Sequence, residues 1–113
     1  MICLQISYPP SANRIWRTSR GRTYRAPNYV NWLEREGWNI IQQRQGGIVG
    51  PYRLQMSVVR PDRRKRDLDN LIKPVSDLLK SVGVIGDDCD AQSIHLEWVK
   101  EGPPVTVKVE KAA

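Results

Sequence analysis

Residues 60 to 73 read Arg60-Pro61-Asp62-Arg63-Arg64-Lys65-Arg66-Asp67-Leu68-Asp69-Asn70-Leu71-Ile72-Lys73, and a second acidic step, Gly86-Asp87-Asp88, comes soon after. Four consecutive cations abutting two aspartates make sense if each kind of group has its own client. The cations suit phosphate oxygens. The aspartates suit a hard divalent cation, because magnesium takes oxygen ligands, typically one or two carboxylates with water and substrate phosphate completing its octahedron. Such an ion polarises a phosphodiester and activates a water, while a lysine in the place of Lys73 neutralises charge developing in the transition state. The set points to metal-assisted hydrolysis of a phosphodiester. Plainer roles stay open at this point. An aspartate ahead of a helix serves as N-cap or dipole complement, which would account for Asp67 or Asp69. Asp87-Asp88 beside glycine serves a turn, and the run Arg63 to Arg66 alone is a solvated or nucleic-acid-binding loop.

The 113 residues suffice for one domain, 1–113, with a single core. The formal net charge of +6 suggests a polyanionic partner, whether DNA, RNA or a membrane surface. Its distribution is more informative. Residues 1–66 hold 13 Lys/Arg against 3 Asp/Glu, and residues 67–113 hold 5 against 9, so the two parts carry +10 and −4. All seven aspartates fall between Asp62 and Asp90, and none of the five glutamates does. Short, stiff carboxylates are concentrated in one place. There is no apolar run long enough to span a bilayer and no signal-peptide pattern at Met1 to Gln5, so the expectation is a cytoplasmic protein with no membrane partner. Cys3, Cys89 and His95 are too few and too scattered for a zinc site; both cysteines are expected as reduced thiols, and no small-molecule cofactor is expected.

The elements that must position these residues follow from periodicity. Ile2, Leu4 and Ile6 alternate with polar residues as a first strand ending at Pro9-Pro10. From Ser11 to Ala26 a basic arm carries Arg14, Arg17, Arg20, Arg22 and Arg25 around Trp16 and Tyr24, with no clear period, and reads as a loop. Pro27-Asn28 opens a helix to about Arg44, with Val30, Leu33, Ile40 and Ile41 on one stripe and Gly37 weakening it. Tyr52, Leu54, Met56 and Val58 alternate as a second strand. Leu68, Leu71, Val75, Leu78, Leu79 and Val82 recur at helical spacing up to Gly83, with Pro74 implying a first turn that is bent or begins late. Ile94 to Lys100 and Val105 to Lys111 read as two strands joined as a hairpin through Glu101-Gly102-Pro103-Pro104. The predicted order is β-α-β-α-β-β: an α/β (α+β) domain whose mixed four-stranded sheet is covered by two helices. His95 falls on a strand as a surface residue. Trp32, Trp38 and Trp98 are expected in core or interface, and Trp16 is the candidate for stacking on a base.

The string PDRRKRDLDNLIKPVSDLL, the later GVIGDD, and the early PPSANRIWR with GRTY together resemble the RusA family of Holliday-junction resolvases, endodeoxyribonucleases of bacteria and their phages. The likeness runs in order through residue 100. It implies a homodimer that binds four-way DNA junctions and makes paired nicks with Mg2+, for which Mn2+ would substitute. Position by position, it puts the family's catalytic aspartates on Asp67, Asp69 and Asp88 and its lysine on Lys73, with Asp87 as a neighbouring metal-side acid. Arg63, Arg64, Lys65 and Arg66 match its basic stretch, and Asn13 and Arg14 its early polar motif; Arg14, Arg17, Arg20 and Arg22 would hold flanking duplex. Cys89-Asp90 departs from the pattern and leaves open which of Asp87, Asp88 and Asp90 contacts metal.

One geometric difficulty attends this reading. A straight helix from Asp69 to Val82 separates Asp69 from the loop that carries Asp88 by roughly 20 Å. Either the Gly83 to Asp90 loop runs back along the helix, or Asp88 reaches the site of a second subunit across a two-fold axis, which is the expectation adopted here. A non-catalytic DNA-binding module and a nuclease for RNA or other branched structures are the competing functions.

Overall fold

The structure, a computed structural model, describes residues 1–11, 14–43 and 46–112. Its elements are β1 (Ile2–Ile6), β2 (Trp16–Ser19), β3 (Arg22–Arg25), α1 (Pro27–Gln43), β4 (Tyr52–Val59), α2 (Ile72–Ser81), β5 (Ala91–Val99) and β6 (Val105–Lys111). Short 3-10 turns, Leu68–Leu71 and Asp88–Asp90, precede α2 and β5. The four-stranded sheet has the order β1-β6-β4-β5, with β4 and β5 parallel and the other pairs antiparallel. Strict alternation puts Ile2, Leu4 and Ile6, Tyr52 to Val58, and Val105, Val107 and Val109 on one buried face, against which both helices pack. The mixed sheet and two helices are as the sequence predicts.

Three expectations need correcting. The basic arm is a β-hairpin: β2 and β3 pair from Trp16↔Arg25 to Ser19↔Arg22, and Arg20 and Gly21, both at positive φ (53° and 75°), make its two-residue turn. Its period was illegible because every residue of both strands is exposed. Second, β5 and β6 do not form a hairpin. They flank β4, because β6 with its three buried valines belongs in the sheet interior while β5, mostly exposed, belongs at the edge. Lys100 to Pro104 steps over the end of β4, where the Val59 N–H donates to the Pro104 carbonyl at 3.0 Å. Third, α1 buries Tyr29, Trp32, Glu36, Gly37 and Ile40, while Val30 and Ile41 are exposed; the true stripe includes a glutamate and a glycine, which an apolar count overlooks. Trp38, expected in core or interface, is 69% exposed and no part of the core. The expected helix end at Arg44 lies outside the described residues; α1 is described to Gln43.

The start of α1 follows from Pro27 at its first helical position, where the missing N–H costs nothing. Its other end covers the edge of the sheet: the Gln43 side chain accepts from Gln5 N–H at 2.9 Å and donates to the Gln5 carbonyl at 2.8 Å, as a neighbouring strand would. Buried Glu36 accepts from Ser7 N–H (2.7 Å) and Asn39 Nδ2 (3.2 Å), fixing the exit of β1 against the helix. Pro74 is the third residue of α2, inside the first turn where helix N–H groups lack partners anyway.

Helix α2 ends in a Schellman motif. Gly83, at φ 76°, donates to Lys80 O (3.2 Å) and Val84 donates to Leu79 O (2.9 Å). Gly47 packs directly on this turn, since a Cβ there would collide with the Gly83 carbonyl, and Ile48 N–H donates to Val84 O at 2.8 Å. Gly37 packs likewise, with Val82 Cγ1 3.4 Å from its Cβ position. Gly47→Ala is therefore expected to destabilise the domain by about 1–3 kcal/mol through overpacking against backbone. A thermal melt checks it, and because Gly47 is not among the positive-φ glycines the loss reports the clash with the Gly83 carbonyl and not backbone strain.

Candidate active site and nucleic-acid interface

Every candidate acid lies in the crossover from β4 through α2 to β5. Its first part, after Val59, is braced by Asp62. That carboxylate accepts from Arg66 Nε (3.1 Å) and NH2 (2.7 Å) and from the Arg64 N–H (3.0 Å). The Arg66 side-chain hydrogen bond holds the Asp62 carboxyl down to about 2. The Arg66 guanidinium also lies over the Tyr8 ring, 5.4 Å from its centroid. Arg66 is thus committed within the protein, whereas Arg63 and Lys65 make no ion pair among the described residues.

Asp67 precedes the 3-10 turn in extended conformation (φ −85°, ψ 118°), and its side chain makes no capping hydrogen bond. Asp69 sits exposed inside that turn. Neither carboxylate is engaged by a partner among the described residues, so capping does not account for them. Lys73, on the first turn of α2, reaches Asp77 Oδ1 at 3.0 Å and Asp88 Oδ2 at 3.5 Å. The hydrogen bond to Asp77 first, and Asp88 after it, raise the lysine pKa and keep the ammonium charged. Farther along, Lys80 Nζ meets Asp87 Oδ1 at 3.5 Å. The Gly83 to Asp90 loop therefore runs back along α2 within one chain, bringing Asp88 to the helix start. The loop thus brings Asp88 to Lys73, while Asp67 and Asp69 do not join it in a closed cluster among the described residues.

In that loop Asp87 accepts from the Cys89 N–H (3.4 Å) and opens the turn Asp88–Asp90. A hydrogen bond with the Asp88 carboxyl, then the Cys89 N–H and Lys80, hold Asp87 down to about 2. Asp87 and its neighbouring acids push the Cys89 thiol up, keeping it protonated and a poor metal ligand. The Tyr52 hydroxyl, buried with no hydrogen-bond partner among the described residues, is close enough to feel Asp88, Asp90 and Asp87, although burial is the first cause of its raised pKa. The donor set is carboxylate oxygen, and it fits a hard divalent cation in kind. Among the described residues, no three acidic, histidine or cysteine side chains converge into a closed metal-holding cluster.

A groove of about 860 Å³ opens beside Asp67 and Asn70. One wall is Tyr8 to Ser11, another the Asn28, Asn31 and Arg35 face of α1, a third Arg64 to Arg66, with Arg14 and Arg17 also on the lining. Asp69, Lys73, Asp87 and Asp88 lie outside it. Arg20 is at the hairpin turn and Arg22 beside it, both exposed and away from this groove. Asn13 lies outside the described residues. Trp16 is 54% exposed with Arg25 over its ring at 5.8 Å, and His95 is an exposed strand residue as expected.

The family model described as Endodeoxyribonuclease RusA matches residues 7–110. The chain belongs to the RusA endodeoxyribonuclease family. It is similar to proteins named crossover junction endodeoxyribonuclease RusA from Aquifex aeolicus (30% identical, spanning 88% of this chain and 82% of the relative), Enterobacteria phage 82 (34%; 91% and 83%) and Escherichia coli K12 (35%; 91% and 83%).

Within the RusA match, three residues with structural roles at the site escaped the sequence reading. Asp77 was findable as the i+4 partner of Lys73 on one helix face. Tyr29 and Arg35 join the site only through tertiary packing, and no local signal marks them. The Asp62 brace carries a pH dependence: with its pKa lowered, the link is intact above the ordinary carboxylate range and is lost as pH falls toward about 2. NMR of the Arg66 Nε–H is expected to show protection at neutral pH that disappears across that window, and Asp62→Asn is expected to abolish it at every pH.

Proposed function

We propose that this chain is a metal-dependent endodeoxyribonuclease that binds four-way (Holliday) junctions as a homodimer and resolves them by paired symmetrical nicks. The observation that carries this reading is the pair Asp67 and Asp69: two exposed carboxylates, employed in no cap or ion pair among the described residues, the first of them lining a groove that arginine and lysine also line. Crossover-junction activity is what the names of the relatives state of those proteins. A protein that only bound DNA would have no use for idle acids facing a polyanion, since each repels phosphate unless a cation intervenes.

Asp67, Asp69 and Asp88, with Asp87 beside them, would hold magnesium or manganese. Bound there, the ion supplies Lewis-acid polarisation of the phosphate and a water of lowered pKa. The chain's own residues do the rest. Lys73 presents a fixed positive charge beside Asp88, suited to the charge that builds on the phosphoryl oxygens. Arg14, Arg17, Arg64 and Lys65 hold backbone phosphates along the groove, and the exposed hairpin with Arg20 and Arg22 reaches flanking duplex, giving affinity without sequence information. Two copies related by a two-fold axis place two such centres on the two strands of a symmetrical junction.

A labelled synthetic junction, incubated with and without magnesium beside linear duplex and an RNA competitor, tests the reading. Symmetrical metal-dependent nicks confined to the DNA junction are expected. Asp69→Asn is expected to slow cleavage by about 100-fold or more, the scale on which loss of one electrostatic contact to a transition state is felt, with junction binding retained. Lys65→Ala is expected to reduce the slope of log affinity against log salt by about one. Binding without cleavage in either metal would leave a DNA-binding module.

A further inference from the structure

Lys73 is held in a way that a surface lysine is not. A lysine and an aspartate one helical turn apart ordinarily gain little, because both side chains give up rotamer freedom in a well-solvated place. Here the aspartate has no freedom to give up. The Asp77 side chain is only 13% exposed, and its Oδ2 accepts from the Tyr29 hydroxyl at 2.6 Å, while Oδ1 faces Lys73 Nζ at 3.0 Å. Tyr29 is in turn immobile: the residue is fully buried on α1, its ring stacked with Trp32 at 6.3 Å, and Arg25 from the base of the hairpin lies 5.6 Å over it. Both Asp77 oxygens are engaged, so this acid is not available as a further metal ligand. An ammonium group has three protons. Asp77 and Asp88 take two, from directions set by α1 and by the returning loop, and the third is left for an oxygen of the substrate.

We infer that Asp77 and Tyr29 are a positioning pair that fixes the Lys73 ammonium beside Asp88, so that the lysine is preorganised from the protein interior before the junction arrives. The inference rests on the reading of Lys73 as catalytic. Neither member of the pair touches substrate or reacting atoms; both act through the lysine. Preorganisation of this kind matters because a charged group misplaced by about 1 Å forfeits much of its effect on the barrier, up to about 100-fold.

The test is a double-mutant cycle read by single-turnover cleavage of a labelled junction in magnesium, with junction affinity measured in parallel. Asp77→Asn is expected to slow cleavage by about 10- to 100-fold. Tyr29→Phe, which keeps the ring and its packing, is expected to slow it less and guards against an Asp77 variant that does not fold. Affinity should stay within about twofold in each. In a Lys73→Ala background, adding Asp77→Asn should cost nothing more, since residues that act as one unit are not additive. An equal slowing in both backgrounds would overturn the inference, because Asp77 would then be acting independently of the lysine. Normal cleavage by both Asp77→Asn and Tyr29→Phe would overturn it as well. If Lys73→Ala itself cleaves normally, the catalytic reading of the lysine fails, and the positioning role falls with it.

Discussion

The parallel pairing of β4 with β5 is the constraint on which the site depends. Parallel neighbours cannot be joined by a tight turn, so the chain must leave β4, cross the sheet and re-enter at the start of β5. Every residue proposed above for the chemistry or its positioning, Tyr29 apart, is borne by that crossing: Asp67 and Asp69 before α2, Lys73 and Asp77 on it, Asp87 and Asp88 after it. An antiparallel hairpin between the same strands would leave no segment long enough to carry them. The crossing is itself pinned at both ends by features that have nothing to do with catalysis, the Asp62–Arg66 brace after β4 and the Schellman turn locked by Gly47 after α2.

The cations sort into two populations once their partners are known. Arg66, Lys73 and Lys80 pair with Asp62, with Asp77 and Asp88, and with Asp87, and Arg25 stacks on aromatic rings; these shape the molecule. Arg63, Lys65, Arg14, Arg17, Arg20 and Arg22 make no ion pair among the described residues, and their charge is available to a polyanion. The excess of +10 in residues 1–66 is already net of Asp62 and its partner, and the ion pairs show which of the 13 cations there carry it.

The sequence was most legible where burial imposes a period. The strands β1, β4 and β6 alternate because one face is covered, and α2 repeats because it packs on that face; all were visible in the residue pattern. It was least legible where nothing is buried or where what is buried is polar. The β2–β3 hairpin has no inward face, so no alternation betrays it, although Arg20-Gly21 at its turn was a clue. The α1 stripe passes through Glu36 and Gly37, whose burial follows from Ser7 and Val82, residues remote in sequence. Among site residues, Asp67, Asp69, Lys73 and Asp88 stood out by type and spacing. Asp77 was one more acid, on a helix, and only the Tyr29 hydroxyl, 48 positions away, distinguishes it from a solvated one.

The return of the Gly83 to Asp90 loop also alters what a second copy of the chain has to do. On a straight helix Asp88 was too far from Asp69, and sharing it across a two-fold axis was the economical answer. The Lys73–Asp88 contact is made within one chain, so Asp88 arrives at the start of α2 without a partner. For the dimer proposed above, the substrate supplies a reason that does not depend on sharing Asp88. A four-way junction requires two cuts in strands related by symmetry, and in the proposed dimer a two-fold axis would supply them by repeating the Lys73–Asp88 arrangement of one chain in the other.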